Sequence, residues 1–133
     1  MVTDLIDISE IPGYRLIDAY DITRLVNAIN RLYQGTASVT LYTALTVELA
    51  LPGIAVITPL VNSPVSVYLP PNPVAGDLVS VKDGNGMGGT SPNFITVYPD
   101  LSSMTIDGQP YARTSQNWQS LSFIFNGTQW NIY

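Results

Sequence analysis

The last stretch of the chain, LSFIFNGTQWNIY at residues 121–133, decides the fold class. Two runs of aromatic and β-branched residues flank Asn126-Gly127, a dipeptide that favours the positive φ angles of a tight hairpin turn. Phe123 and Phe125 are two positions apart, so they lie on one face of their strand. The segment therefore predicts a pair of antiparallel strands, and its aromatic face is expected in the core or at a subunit interface rather than as a ligand platform.

The same period-two pattern extends back to Ser38, in short runs of β-branched and aromatic residues divided by Pro, Gly and Asn. The glycine-rich segment KDGNGMGGTSPN at residues 82–93 predicts a loop. Because no helix separates the runs, the pattern predicts an antiparallel β-sandwich or barrel-like domain over residues 37–133. Candidate strands lie near residues 38–49, 54–60, 64–69, 77–82, 93–98, 103–106, 120–125 and 129–132.

Residues 1–36 differ in pattern and are expected to form an attachment or oligomerisation region. Residues 1–17 alternate apolar and acidic positions loosely around Pro12-Gly13, which is typical of an extended arm. A helix is expected at about residues 19–34, where apolar side chains recur at spacings of three and four. Two interpretations stay open: the helix packs on the β core of its own chain, or copies of it form a small bundle around a symmetry axis. The bundle would use the a/d spacing of Ile22, Leu25, Ile29 and Leu32.

The composition narrows the function classes. Charged residues make up 11% of the 133-residue chain, against about 25% in ordinary globular proteins, so part of the surface is expected to be covered by another copy or another protein. The formal net charge of −5 argues against nucleic-acid binding, which depends on Lys and Arg neutralising phosphates. The longest apolar stretch, residues 49–61, is broken by two prolines and a glycine. We therefore expect no membrane span, and the acidic N-terminal region gives no sign of a signal peptide.

The residues needed for catalysis are scarce. The chain has no histidine and no cysteine, which excludes a Ser-His-Asp triad, a Cys nucleophile, and imidazole or thiolate metal ligands. The DGNG segment at residues 83–86 lacks the ligand spacing and the closing glutamate of a calcium loop. The acids downstream of the arm are Glu48, Asp77, Asp83, Asp100 and Asp107. All of them except Glu48 stand beside Gly, Pro or a turn, where an Asp side chain commonly bonds the local backbone. We expect no enzyme activity, no metal and no cofactor.

Two longer segments carry a recognisable order of motifs: YLPPNPVAGDLVSVKDGNG at residues 68–86 and NFITVYPDLSSMTIDGQPYARTSQNWQSLSFIFNGTQWNIY at residues 93–133. A strand ends at a proline, a Gly-Asp turn leads to V-x-V-K-D, a glycine loop follows, and then come I-T-V, T-I-D-G, an aromatic strand, Asn-Gly and W-N-I. This order resembles a β module that recurs in tail-fibre, tail-spike and head-decoration proteins of tailed bacteriophages. The resemblance covers about half the chain and implies a non-catalytic, typically trimeric module that displays or connects virion parts.

The chain lacks the shaft repeats and the carbohydrate-cleaving domain of long fibres, so the resemblance implies a capsid decoration (cement) protein or a short head fibre. It would be made in the host cytoplasm and lie on the capsid exterior. The alternatives are a tail or neck fibre component, or a receptor- or glycan-binding fibre tip with exposed aromatics near the loop at residues 83–93. The expected contacts between copies are Ile22, Leu25, Ile29, Leu32, Phe123, Phe125 and Trp130. The arm would bind the major capsid protein, or another virion protein, through Leu5, Ile8, Ile11 and Tyr14.

Overall fold

The computed structural model describes residues 19–34 and 38–133 of the chain. The chain divides into two compact units, Met1–Thr36 and Ala37–Tyr133. In the first unit, one helix, α1, extends over Ala19–Gln34 and confirms the predicted helix. The expected arm contacts Leu5, Ile8, Ile11 and Tyr14 lie outside the described residues, as does the side chain of Leu32.

The second unit consists of short strands arranged in two sheets. Sheet A has the strand order β1-β3-β5-β8-β9, and sheet B has the order β2-β4-β6-β7. The strands are β1 (Val39–Tyr42), β2 (Thr46–Glu48), β3 (Gly53–Ile57), β4 (Val65–Tyr68), β5 (Leu78–Asp83), β6 (Ile95–Tyr98), β7 (Ala112–Arg113), β8 (Ser120–Phe125) and β9 (Trp130–Ile132).

The predicted antiparallel pairing is wrong for the first six strands. The chain alternates between the sheets, so β1, β3 and β5 lie parallel in sheet A, and β2, β4 and β6 lie parallel in sheet B. Parallel neighbours need a crossover that returns the chain to the same end, and here each crossover passes through a strand of the other sheet. Among the nine strands of residues 38–133, the antiparallel pairs are those through which β7, β8 and β9 join the sheets. The domain is therefore mainly β with mixed sheets, and neither sheet closes into a barrel over residues 38–133.

Two predicted strands change, and one strand was not predicted. The predicted strand at residues 38–49 is two strands, because the chain leaves sheet A after Tyr42 and enters sheet B at Thr46. Residues 103–106 form no strand, and Ile106 makes only isolated bridges to Gln109 and Trp130. The two-residue strand β7 was not predicted. A period-two pattern identifies an extended segment and its faces, but it does not reveal where the chain changes sheet.

The predicted C-terminal hairpin is confirmed. Residues of β8 and β9 pair antiparallel, with Phe125 opposite Trp130. Gly127 has a φ of 101°, a value that is readily accessible only to glycine. The Asn126 side-chain oxygen accepts hydrogen bonds from the backbone N–H groups of Thr128 and Gln129, at 2.8 and 2.9 Å. Local turn chemistry therefore fixes the register of this hairpin.

One hydrophobic cluster combines the alternate residues of both sheets. Within it, the rings of Phe125 and Trp130 meet edge to face, with centroids 5.3 Å apart. The fully buried members come from β3, β4, β5, β6, β8 and β9 and from the segments between them; the largest are Trp130, Phe123, Ile57, Leu69, Ile95 and Ile106. Burial of these side chains contributes roughly 1.5–3 kcal/mol each, so the cluster provides the main driving force for folding of the second unit.

Candidate functional site

The helix α1 presents an apolar face to solvent. Ile22, Leu25, Val26 and Ile29 recur at helical spacing, and their side chains are between 45% and 56% exposed. An isolated 16-residue helix is only marginally stable in water, and most helices in proteins depend on burying such a face. The α1 apolar face, defined by these four residues, is therefore a candidate contact surface.

A second apolar surface lies on sheet A. Backbone register places Val39 and Leu41 of β1 beside Ile54 and Val56 of β3 on the outward face of the sheet. Val39 is 54% exposed and Leu41 is 68% exposed. Farther across this outer face, β5 and β8 carry mostly polar residues and one apolar pair; those in register are Ser80 with Ser122, Lys82 with Ser120, and Leu78 with Ile124. The β1–β3 apolar strip therefore stands at one edge of the sheet, and exposed edge strands of this kind readily pair with other chains.

The glycine-rich loop after β5 is organised around one carboxylate. The Asp83 side chain is completely buried. Its Oδ1 accepts backbone N–H groups from Asn85, Gly86 and Met87 at 3.3, 3.0 and 3.3 Å. Its Oδ2 accepts those of Gly88 and Trp118, both at 2.8 Å. Five backbone donors thus surround one negative charge, an arrangement that elsewhere binds anions and here is filled by the chain's own side chain.

Two opposing effects act on the pKa of Asp83. Burial raises the pKa, while hydrogen bonds from the backbone of Gly88, Trp118, Asn85 and Met87 lower it, and the net pKa lies below the usual value for aspartate. The carboxylate therefore stays charged wherever the protein is folded at neutral pH. Since its acceptor positions are engaged by the backbone, we assign Asp83 a structural role rather than that of a catalytic acid or base.

Further contacts attach this loop to the segment before β8. The Thr114 hydroxyl donates to the carbonyl of Gly88 at 2.5 Å and accepts the N–H of Ile95 at 3.0 Å. The N–H of Gly89 donates to the side-chain oxygen of Asn117 at 2.9 Å. The loop is thus joined at several points to its neighbouring segment, which holds its shape.

Trp118 lies on the outside of this assembly. The residue is 60% exposed and its backbone adopts a φ of 65°. The Lys82 ammonium group lies 5.7 Å from the ring centroid and also donates to the Trp118 carbonyl. The ring contacts the position of Gly86 so closely that no side chain could be added there. Trp118 is therefore an exposed aromatic beside the loop, whereas Trp130 is buried.

Two more acids accept hydrogen bonds: Asp77 bonds the local backbone, as the sequence predicts for aspartate at a turn, whereas Asp107 bonds residues of β9 that lie 24 and 25 positions away. Asp77 accepts the N–H of Val74 at 3.0 Å. Asp107, with a φ of 49°, accepts from the N–H of Ile132 and, at 2.9 Å, from the Asn131 side chain. Among the residues that the structure describes, no group of three or more acids is arranged to hold a metal ion.

The sequence-predicted contact residues divide into two groups. Ile22, Leu25 and Ile29 lie on the exposed α1 apolar face. The structure places Phe123, Phe125 and Trp130 in the core of the β domain, where their rings have almost no surface left for a second chain.

The sequence reasoning missed the β1–β3 apolar strip and a row of tyrosines on sheet B. The strip could not be found because it depends on parallel pairing. The tyrosines had a signal, since β4 reads Val-Ser-Val-Tyr and β6 reads Ile-Thr-Val-Tyr, which places Tyr68 and Tyr98 at the same position of two similar strands.

The comparisons with known proteins add no assignment. No protein-family model matches the chain, and no curated protein matches it. Within the described residues, no helix is both long and apolar enough to cross a membrane.

Proposed function

We propose that this chain is a structural protein of a tailed-bacteriophage virion, a homotrimer that decorates the capsid exterior as a cement protein or short head fibre. The residues 1–36 attach it to the major capsid protein and gather the copies. The β domain is the displayed head, with sheets A and B facing each other as a sandwich. No enzyme activity, nucleic-acid binding or membrane insertion is part of this proposal.

The observation that carries the proposal is the exposed α1 apolar face. Four half-exposed aliphatic side chains on one short helix leave a large apolar area in water, and burial between copies would recover about 25 cal/mol for each Å². The spacing of Ile22, Leu25 and Ile29 matches the seam of a coiled coil. The low share of charged residues and the order of motifs shared with phage modules support the same assignment.

The test of assembly is the mass of the full chain in solution. We expect three times the 14.4 kDa chain mass by light scattering at micromolar concentration. Leu25→Asp puts a charge into the proposed seam and should convert the trimer to monomer. Asn27→Asp adds the same charge to an exposed position outside the seam and is the matched control. A parent chain that is monomeric at this concentration would contradict the trimer.

The test of location is a virion map in which the chain is placed by its β domain. Copies on the capsid shell would support the decoration role, and copies confined to the tail or neck would favour the fibre alternative. The receptor-binding alternative is favoured by one observation, the exposed Trp118 beside the glycine-rich loop. Loss of cell binding in Trp118→Ala, with assembly unchanged, would support that alternative.

A further inference from the structure

A row of side chains crosses the outer face of sheet B. Backbone register places Glu48 of β2 beside Tyr68 of β4, and Tyr68 beside Tyr98 of β6. The rings of Tyr68 and Tyr98 are stacked, with centroids 5.3 Å apart and planes inclined by 22°. The ring of Tyr111, which is 48% exposed, lies 5.9 Å from that of Tyr98 at an angle of 53°. Three tyrosines therefore form one continuous aromatic surface on the outside of the domain.

A cavity of about 280 Å³ opens beside this row. Its walls contain apolar, aromatic, carboxylate and hydroxyl groups, contributed by Tyr68, Tyr98, Pro99, Asp100, Ser102 and Pro110. Pro99 is buried, while Asp100 and Ser102 are exposed at the rim. The N–H of Leu69 donates to the carbonyl of Tyr98 at 2.8 Å, and the N–H of Met104 donates to that of Leu101 at 3.0 Å, so backbone bonds hold both ends of the lining. Apolar walls with a few placed polar groups are typical of small-ligand sites.

The chemistry of this lining fits a sugar ring. A pyranose has apolar C–H patches that pack on aromatic side chains and hydroxyl groups that need both donors and acceptors. Tyrosine supplies an apolar body with a polar end, the Asp100 carboxylate accepts from hydroxyls, and Ser102 both donates and accepts. The cavity combines these groups in one place.

Size and charge narrow the ligand further. The volume lies just below the roughly 300–1,000 Å³ of sites for drug-sized ligands, so it suits one ring-sized group. A proline-rich peptide, the other common ligand of tyrosine-lined surfaces, needs an extended groove for several residues. Glu48 lies in the row, Asp100 lines the cavity, and the chain carries a formal net charge of −5, so anionic sugars and phosphates are repelled.

We infer that the cavity beside Tyr68 and Tyr98 binds one neutral sugar residue of a glycan, with Asp100 accepting hydrogen bonds from its hydroxyls. The site is separate from Trp118 and the glycine-rich loop, and the inference does not depend on the proposed place in a virion.

The test is saturation-transfer difference NMR on the full chain, followed by titration of the best ligand. The probes are neutral methyl glycosides of glucose, galactose, mannose and their N-acetylated amino forms, with sialic acid and a proline-rich decapeptide as the competing classes. We expect weak binding of at least one neutral glycoside, with a dissociation constant on the order of 1 mM.

Asp100→Asn keeps the shape of the side chain, and we expect it to weaken binding about tenfold through loss of a hydrogen bond to a charged acceptor. Tyr98→Ala should weaken binding by about tenfold through loss of an aromatic contact. Tyr133→Ala, which removes an exposed tyrosine at the end of sheet A and is the matched control, should leave the affinity unchanged. Because Tyr98→Ala also removes the ring stack with Tyr68, its circular dichroism spectrum is compared with that of the parent. If Tyr98→Ala does not fold, the affinity of Asp100→Asn alone tests the inference.

Three results would overturn the inference. One is the absence of any neutral glycoside signal at about 50 mM, far above the expected dissociation constant. Another is a bound glycoside whose affinity is the same in the parent and in Asp100→Asn. The last is preference for sialic acid or for the decapeptide, since either would assign the surface to a different class of ligand.

Discussion

Replacement of Asp83 by asparagine should destabilise the β domain severely. In the folded chain, Oδ1 accepts three backbone N–H groups and Oδ2 accepts two, from Gly88 and Trp118. Asparagine has nearly the same shape but only one acceptor atom. In its better orientation the amide oxygen keeps the three donors at Oδ1, and the NH2 group then faces the N–H groups of Gly88 and Trp118.

The magnitude follows from the number of donors left without an acceptor. An N–H that loses its partner inside the protein costs about 1–3 kcal/mol, so the buried N–H of Gly88 and the part-buried N–H of Trp118 together cost about 2–6 kcal/mol. The remaining three bonds also weaken, since hydrogen bonds to a charged acceptor are roughly twice as strong as neutral ones. We therefore expect the free energy of unfolding to fall by about 3–5 kcal/mol, whereas its total for most domains is about 5–15 kcal/mol.

The assay is equilibrium urea unfolding of the full chain, with tryptophan fluorescence as the readout. The backbone N–H of Trp118 donates to Oδ2 of Asp83, so the indole of Trp118 lies beside the loop, while the buried indole of Trp130 reports the core. The control is Asp77→Asn, because Asp77 accepts a single N–H at an exposed turn and its loss should cost less than about 1 kcal/mol. A free energy of unfolding for Asp83→Asn within about 1 kcal/mol of the parent value would contradict this estimate, because the N–H groups of Gly88 and Trp118 would then have lost their acceptor at almost no cost.

The remaining predictions concern acid and the packing of the loop. The folded-state pKa of Asp83 is lowered, so the unfolded chain binds more protons in acid, and the stability that Asp83 provides is present above about pH 4 and lost as pH falls through the folded pKa. Urea midpoints between pH 7 and pH 3 should fall for the parent and fall less for Asp83→Asn; equal slopes would contradict the lowered pKa. Gly89→Ala should cost more than about 2 kcal/mol, because its Cβ would overlap backbone atoms of Gln116 and Asn117. Gly76→Ala should cost only about 1 kcal/mol, because the added Cβ meets no atom within 4 Å although φ is 96°. Thermal melts in which Gly76→Ala loses more stability than Gly89→Ala would show that the backbone around Gly89 shifts at little cost.

The elements whose signals are local could be predicted from the sequence. The helix at Ala19–Gln34 follows from apolar spacing, and the hairpin at Asn126-Gly127 follows from turn chemistry between two aromatic runs. The two-residue separation of Phe123 and Phe125 predicts that they share one face of a strand, but it leaves open whether that face lies in the core or at a subunit interface. These features need only neighbours a few residues away, so they can be predicted from short segments.

The pairing of the strands and the contacts between distant side chains could not be read from the sequence. A period-two run gives a strand two faces but does not name its partner, and so parallel pairing through two sheets replaced the expected antiparallel order. Asp83 looked like an ordinary turn aspartate, yet the N–H of Trp118, 35 positions away, completes its set of five donors. The tyrosine row arises in the same way, because Tyr68 and Tyr98 lie 30 positions apart and become neighbours through the register of β4 and β6. Such contacts depend on the packing of the whole domain, because the entropy lost when long loops close is compensated only by burial in the common core.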